Sequence, residues 1–522
     1  MDREIFTAAD LVQLEKVGIS EAQARRQLEI LKSGFEPLQL DRPCTIGDGI
    51  LQVDSRDQER FLGIWEEAAA AGRLCRFVPA SGAATRMFGF LDRMRRRQGG
   101  FREIHLQKKA EQGDDDSTAC LLFFSKFKEF ALSEVLAEKM AQAGISLDDK
   151  LARGDYDQIV DFLLEPEGLD YRSLPKALIP FHRYDSQVRT AMEEHLVEAV
   201  QTLQDRSHSC RLHFTVSPDS EDLMKAAAAK AAAFYGNELG VQYLISFSQQ
   251  SPASNTLALD DEGLPFRKPD GSLLLRPGGH GALLQNLNEL GGDLVFIVNI
   301  DNVATDRRRE TAVHWQRILT GMLADLQGRA FEFMRTLAEH SPGGLQLQEI
   351  VDFVHERLQV PLPQGIEDYP AERLADWLRE RLQRPMRVCG MVKNRGEPGG
   401  GPFWVRQPQG SQSLQIVESA QIAQESEEQR KIFRAATHFN PVLIACGLRD
   451  FQGKPFDLRK YCDDRAVFIA RKTAYGRELQ ALEWPGLWNG GMAWWNTIFV
   501  EVPEAVFNPV KTVNDLLRPA HN

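Results

Sequence analysis

Lys511 stands in the run Phe507-Asn508-Pro509-Val510-Lys511-Thr512, where Pro509 fixes the turn that carries it. Val513-Asn514-Asp515-Leu516-Leu517 then reads as the start of a short helix. Alone, this lysine is a surface charge. Upstream segments in a fixed order supply what a lysine needs to act on phosphates. The first is Phe77-Val78-Pro79-Ala80-Ser81-Gly82-Ala83-Ala84-Thr85-Arg86-Met87, a strand that passes through a small-residue loop into a helix expected over 85–97. With no bulky side chains at Ser81, Gly82, Ala83, Ala84 and Thr85, backbone N–H groups can approach phosphate oxygens, and a helix start favours an anion. Arg86 can add a bidentate contact. A tight strand-to-helix connection packed on small residues accounts for the loop equally well. No Gly-Lys-Ser/Thr follows, so it is not a P-loop.

Lys176, held between Pro175 and Pro180, can neutralise a phosphate, although a lone Pro-Lys is more often an exposed loop charge. In Arg276-Pro277-Gly278-Gly279-His280-Gly281, three glycines bracket a histidine, so the backbone can pass close to a flat ligand with the imidazole beside it. Phe296-Ile297-Val298-Asn299-Ile300-Asp301-Asn302 places Asp301 just past the C-terminal end of an apolar strand, where open α/β sheets bind ligands. A carboxylate there suits Mg²⁺, which takes one or two carboxylates plus substrate phosphates; it also suits a helix N-cap. Trp484, Trp488, Trp494 and Trp495 cluster in one stretch, which can be a stacking surface for a ligand but for the most part reads as core.

The elements that must position these residues alternate in type. Residues 1–72 read as a helical N-terminal region, and 74–79 as a strand. Residues 73–310 read as a nucleotide-binding α/β core, interrupted at about 98–172 by a helical insertion with a helix expected over 121–140. Strands are expected at 211–216, 241–247 and 293–300, with an Ala-rich helix at 220–234. The continuous apolar run 293–300 is what a central strand covered on both faces shows. Residues 311–386 form a second helical insertion, and 387–522 the C-terminal part of the core.

The chain has 522 residues, a net charge of −12 and a pI of about 5.5. A nucleic-acid binder normally shows a basic face, so no nucleic-acid partner is expected. A local cationic cluster for phosphates is compatible with this balance. No apolar run is long enough to span a membrane, and Met1-Asp2-Arg3-Glu4 lacks the character of a signal peptide. The seven cysteines are scattered, with no CxxC pair, which points to a reduced, cytoplasmic protein.

Taken in order, these motifs resemble the UDP-glucose pyrophosphorylase type of nucleotidyltransferase. That family has a Gly-rich loop ending in Thr-x-Met, then Pro-Lys, a Pro-x-Gly-His-Gly turn and an Asp-Asn at a strand end. Later come a Gly-Gly strand, a Leu-Glu-x-Ala-Gln strand and a Phe-x-Pro-Val-Lys-Thr-x-x-Asp-Leu-Leu terminus. Here the later parts read Gly399-Gly400-Gly401-Pro402-Phe403 and Val417-Glu418-Ser419-Ala420-Gln421, with Lys431-Ile432-Phe433 leading to His438-Phe439-Asn440. The likeness is colinear over about 74–517. It departs at Ala83 and Ala84, where the family usually has glycine, and in the roughly 88 residues between Met87 and Pro175, where the family has only a few. The family's C-terminal β-helix is not expected here. The chain also resembles bacterial proteins of unknown function.

The resemblance implies a Rossmann-like α/β fold of the GT-A type with a mixed sheet, and a cytoplasmic, Mg²⁺-dependent transferase. It would join UTP, or another nucleoside triphosphate, to a sugar 1-phosphate, giving a nucleotide sugar and pyrophosphate. The loop Ser81–Thr85 would cradle the triphosphate and Arg86 the departing pyrophosphate. Gln249 or Gln250 would read the base edge, and Gly279 would lie under the base. His280 would contact the sugar phosphate, and Asn299, Gly400 and Asn440 the sugar. Asp301 would hold Mg²⁺, and Lys511 and Lys176 would stabilise charge on the phosphates. Two other readings share these motifs. A glycosyltransferase usually binds its metal through Asp-x-Asp, and Asn299-Ile300-Asp301 is not that pair. A non-catalytic nucleotide-sugar-binding protein would lack the phosphate lysines. Oligomeric state is left open.

Overall fold

The computed structural model describes residues 5–97, 100–185, 187–339, 344–397, 399–407 and 410–521. The N-terminal tetrad noted above lies outside them. The chain divides into two compact units. Unit 1 comprises Met1–Phe77, Ser248–Ile297 and Gln316–Glu504; unit 2 comprises Val78–Phe247, Val298–Trp315 and Ala505–Asn522.

Unit 1 is built on a mixed sheet. Its strands follow the order Thr45–Ile46, Gly49–Leu51, Asn496–Glu501, Met386–Lys393, Leu443–Gly447, Leu294–Val298 and Leu74–Pro79. Met386–Lys393 pairs parallel with Asn496–Glu501 on one side and antiparallel with Leu443–Gly447 on the other. Leu294 to Ile297 runs parallel to Leu74 to Phe77. Every residue of Leu294–Val298 is buried, as the uninterrupted apolar run requires. Phe77, Ile297, Cys389, Ile444, Trp488, Trp495 and Phe499 share one core, so two of the four clustered tryptophans are structural. Arg387 is buried there and donates to the carbonyl of Trp488 (2.7 Å) and to Thr497 Oγ1 (2.9 Å), which pins the tryptophan-rich segment.

Helices Ala8–Lys16 and Glu21–Ser33 begin at capping boxes on Thr7 and Ser20. Their buried Leu14, Leu28 and Leu31 pack with Leu257, Leu259 and Leu482. The region 1–72, read as helical, also holds three strands, Gln39–Pro43, Thr45–Ile46 and Gly49–Leu51. Gln39–Pro43 forms only because Gly401–Arg406, far along the chain, offers it an antiparallel partner. Glu310–Glu339 and Ala371–Leu382 supply the helices expected at 311–386.

In unit 2, strand Ser209–Val216 lies beside Gln242–Gln249, linked by the Ala-rich helix Glu221–Leu239, which ends at Gly240 with φ 67°. A hairpin, Pro180–Arg183 with Val188–Thr190, leads into helix Ala191–Leu203 through a capping box on Thr190. The insertion is helical, but the helix expected over 121–140 is broken into Asp115–Ser125 and Leu132–Gln142. The interruption lets Phe123, fully buried, meet Phe127 and Phe130, each at 5.1 Å between ring centroids. Among the described residues no helix is long and apolar enough to cross a membrane.

Candidate functional site

The residues singled out from sequence fall into two sets. Unit 2 holds Ser81 to Arg86, Lys176, Asn299, Asp301 and Lys511; unit 1 holds Gln249, Gln250, Gly279, His280, Gly400 and Asn440.

In unit 2 the small-residue loop does not run directly into an α-helix. A single 3₁₀ turn, Ala84–Arg86, comes first, and a short helix starts only at Gly89. The Met87 carbonyl, just past the turn, accepts a hydrogen bond from Val513 N (3.0 Å). A helix dipole aimed at the loop, expected from the sequence, is therefore absent. Ser81 is half-buried, while Gly82, Ala83, Thr85 and Arg86 are exposed. The loop lies against Pro175-Lys176 despite the long insertion between them. Ala83 bridges Pro175, Ala84 N donates to Leu174 O (2.9 Å), and Lys176 N donates to Gly82 O (3.2 Å). The insertion leaves the loop and returns to it.

Lys176 points its ammonium at Asp301. Nζ lies 2.7 Å from Asp301 Oδ2 and 2.6 Å from the carbonyl of Val510, and the two side chains are 16% and 20% exposed. Asn302, which the sequence marks only as part of a motif, clamps the segment bearing Lys511. Its Nδ2 donates to Val506 O (3.2 Å), and its Oδ1 accepts from Asn508 N (2.7 Å). Val510 N donates to Asp301 O (3.2 Å), so Asp301 and the turn before Lys511 are fixed to each other. Asp515, missed from sequence, closes the turn by accepting from Lys511 N (2.8 Å) and Thr512 N (2.6 Å) through Oδ2. Asp515→Ala leaves these two amides without that acceptor and is expected to cost about 1–3 kcal/mol; thermal unfolding of the full chain measures it. Lys511 is exposed, and Asn299 is half-buried just after its strand.

The fit of Asp301 to Mg²⁺ follows from its donor set. Among the described residues no group of three or more His, Cys, Asp or Glu is arranged to hold a metal ion. Asp301 gives Oδ2 to Lys176, and Oδ1 accepts no hydrogen bond from the described residues. One free carboxylate oxygen fits an ion that keeps its other positions for water and phosphate oxygens, and does not fit an all-protein cage.

Behind this face lies a buried polar cluster that the sequence did not signal. Glu194 Oε1 lies 2.8 Å from His182 Nδ1 and accepts from Tyr184 Oη (2.8 Å), while Oε2 accepts from Arg309 (2.7 Å). His182 Nε2 meets His521 Nδ1 at 2.8 Å. Asp306 binds both Arg189 and Arg309. Burial would push the Glu194 carboxyl up, but the His182 hydrogen bond and the charges of His182, Arg309 and Arg189 hold it down at about 2. Burial, and then the adjacent His182, push His521 down to about 3.

In unit 1 the glycine turn has an internal explanation. A Cβ on Gly278 would lie 2.4 Å from Ser254 O, and one on Gly281 would lie 2.5 Å from Pro485 O. Both glycines are required by the chain's own close packing around Trp484. Gly279, with φ +66°, is left-handed, and its carbonyl accepts from Gln250 Nε2 at 3.3 Å. The Gln249 carbonyl accepts from Asn286 Nδ2 (2.7 Å). His280 is exposed, with its ring edge-on to Trp488 at 5.0 Å. Gly400 is buried, and a Cβ there would meet Ile416 at 2.4 Å. Asn440 is also buried: its N donates to Gly400 O, its Nδ2 to Gly390 O (2.9 Å), and its Oδ1 accepts from Val442 N (3.0 Å). That last bond supports Val442 at a left-handed φ of 62°.

Among solved structures, the chain is similar to UDP-N-acetylglucosamine pyrophosphorylase from Trypanosoma brucei, at 13% identity over 98% of this chain and 79% of that one, with a TM-score of 0.46. It is similar to UDP-glucose pyrophosphorylase from Leishmania major at 12% identity, over 98% and 79% of the two chains, with a TM-score of 0.43. A putative UDP-N-acetylglucosamine pyrophosphorylase from Entamoeba histolytica matches at 12% identity over 92% and 85%, with a TM-score of 0.41. No curated protein matches the sequence. One family model does match, spanning residues 7–522, and the chain belongs to that family, described as a domain of unknown function, DUF4301.

Proposed function

We propose that this chain is a sugar-1-phosphate nucleotidyltransferase that uses UTP or another nucleoside triphosphate. The observation that carries the reading is the convergence of Lys176, Asp301 and the Lys511 turn in unit 2, from segments 125 and 334 residues apart. In the reaction, an oxygen of the sugar phosphate attacks the α-phosphorus in line. The bond from that phosphorus to the bridging oxygen breaks, and pyrophosphate departs with the electron pair. Two anions must be brought together, so the protein's work is positioning and charge neutralisation. Mg²⁺, when bound at Asp301, supplies positive charge to the phosphate oxygens.

The chain's residues do the rest. The exposed residues Gly82, Ala83, Thr85 and Arg86 offer backbone N–H groups and a guanidinium to the triphosphate. Lys176 is held close enough to Asp301 to exchange its carboxylate contact for a phosphate oxygen. Lys511, on a turn locked by Asn302 and Asp515, presents a second ammonium. The family resemblance alone gives the base edge to Gln249 or Gln250 and the base face to Gly279. It likewise gives the sugar phosphate to His280 and the sugar to Asn299, Gly400 and Asn440.

The test is pyrophosphate release by the full chain, with Mg²⁺, from each nucleoside triphosphate against a panel of sugar 1-phosphates. Release with one pair supports the reading and names the substrates. No release, with a rise in melting temperature on adding UTP, favours a binding protein. No release and no shift with any nucleotide rejects the reading.

A further inference from the structure

Unit 1 contains a cleft of about 780 Å³ that takes in none of Gln249, Gln250, Gly279, His280, Gly400 or Asn440. Arg381, in the last turn of helix Ala371–Leu382, and Arg384, just beyond it, both line it. Lys460 adds a third positive charge, and Gln407, Ser411 and Trp494 also line the cleft.

The two arginines are partnered very differently. Arg384 donates to Glu380 (2.7 Å), whose side chain is 64% exposed, and to the carbonyl of Trp494 (3.5 Å). Arg381 has no hydrogen-bond or ion-pair partner for its guanidinium among the described residues, and its Nε is buried and unbonded. The nearest stabilising group is the ring of Trp377, 5.6 Å away. A helix C-terminus favours cations, but Arg381 donates to no carbonyl there. Burial and the like charge of Arg384 depress its pKa, with Glu380 opposing. None of the acidic residues on the cleft pairs with it: Glu380 is bonded to Arg384, Asp463 is held by Nε and Nη2 of Arg465 (3.0 and 2.9 Å), and Asp464 faces Arg26 at 3.5 Å. An arginine kept partly dry, unpaired and next to another cation is poorly placed for stability and well placed to receive an anion.

We propose that this cleft binds the phosphate group of a small phosphorylated, hydroxyl-bearing molecule. The fork of Arg381 takes two phosphate oxygens. Arg384 and Lys460 add charge, the Gln407 amide and the Ser411 hydroxyl meet the hydroxyls, and Trp494 forms the apolar wall. The site goes beyond nucleotidyl transfer and does not depend on it.

The experiment is a melting-temperature titration of the full chain at constant ionic strength, with ribose 5-phosphate, inorganic phosphate and ribose as probes. Ribose 5-phosphate should give a saturable rise, inorganic phosphate should bind more weakly, and ribose should have no effect. Arg381→Met, which retains the aliphatic stem, and separately Arg384→Gln, should each weaken ribose 5-phosphate about tenfold or more. Lys511→Ala should leave that affinity unchanged, which separates this site from the one proposed in unit 2. Absence of a saturable rise, unchanged affinity in both arginine variants, or inorganic phosphate binding as tightly as the ester would each overturn the assignment.

Discussion

Lys176→Met should lower kcat for pyrophosphate release about 10²–10³-fold, a loss of about 2.7–4 kcal/mol, and should also lower the melting temperature modestly, because Asp301 Oδ2 and the Val510 carbonyl lose their shared donor. The size follows from its setting. Lys176 is only 16% exposed, and its ammonium is held at 2.7 Å from a carboxylate and 2.6 Å from a carbonyl, so it needs little reorganisation to meet a developing phosphate charge. The pair with Asp301 predicts more than a single loss. If the two act on the same phosphates, Asp301→Asn alone should also change the Mg²⁺ response, and the double variant should lose less than the sum of the singles. Full additivity, or near wild-type turnover in Lys176→Met, would remove Lys176 from the site.

The largest effect on stability is expected at Glu194. Glu194→Leu removes the one carboxylate shared by His182, Tyr184 and Arg309, with the Arg189 guanidinium 3.6 Å away, and leaves the two buried arginines with Asp306 as their remaining partner. Breaking a buried pair from one side costs about 3–5 kcal/mol. Amide exchange along Ala191–Leu203, the helix that carries Glu194, should accelerate accordingly. Adding Arg309→Met should recover part of the loss, because the stranded charge goes with it. The same cluster sets an acid limit. Glu194 sits at about 2 against an ordinary 4.5, so its contribution is complete above 4.5 and is lost as pH falls towards 2. His521, at about 3 against 6.5, stays neutral when folded, so the unfolded chain takes up its proton first and stability falls as pH drops from 6.5 towards 3. Both slopes have the same sign. A melting temperature that did not fall between pH 6.5 and 3 would contradict the arrangement.

How far the sequence reaches can be judged residue by residue. The strand at Leu74–Pro79 and the buried strand at Leu294–Val298 are legible because a short apolar run between turn residues has few alternatives. Gln39–Pro43 is not, because its partner strand lies more than 350 residues away and the segment is polar enough to pass for a linker. The glycines at 278 and 281 are visible, but their reason is not. A ligand and a tryptophan side chain both forbid a Cβ, and only coordinates show that Trp484 and neighbouring carbonyls fill the space. Lys176 and Asp301 are each marginal as motifs and gain weight only when seen in contact. His182, Glu194 and His521 give no signal, since buried polar partners need no spacing rule when separated by 339 residues.

Unit 2 is assembled from three stretches of chain, with most of unit 1 running between the second and third. Its hydrogen bonds from Lys176 to Val510 and from His182 to His521 therefore close very long loops. Loop closure over such distances is entropically slow to reward, and folding rates fall as contacts become less local. The stretch Ala505–Asn522 follows every segment of unit 1 in the chain, so it can dock only after unit 1's segments have been made. Until then, Asp301 and Lys176 lack the carbonyl and turn that fix them. Lys176 and Asp301 are therefore held in full only once this last stretch has joined the two earlier ones.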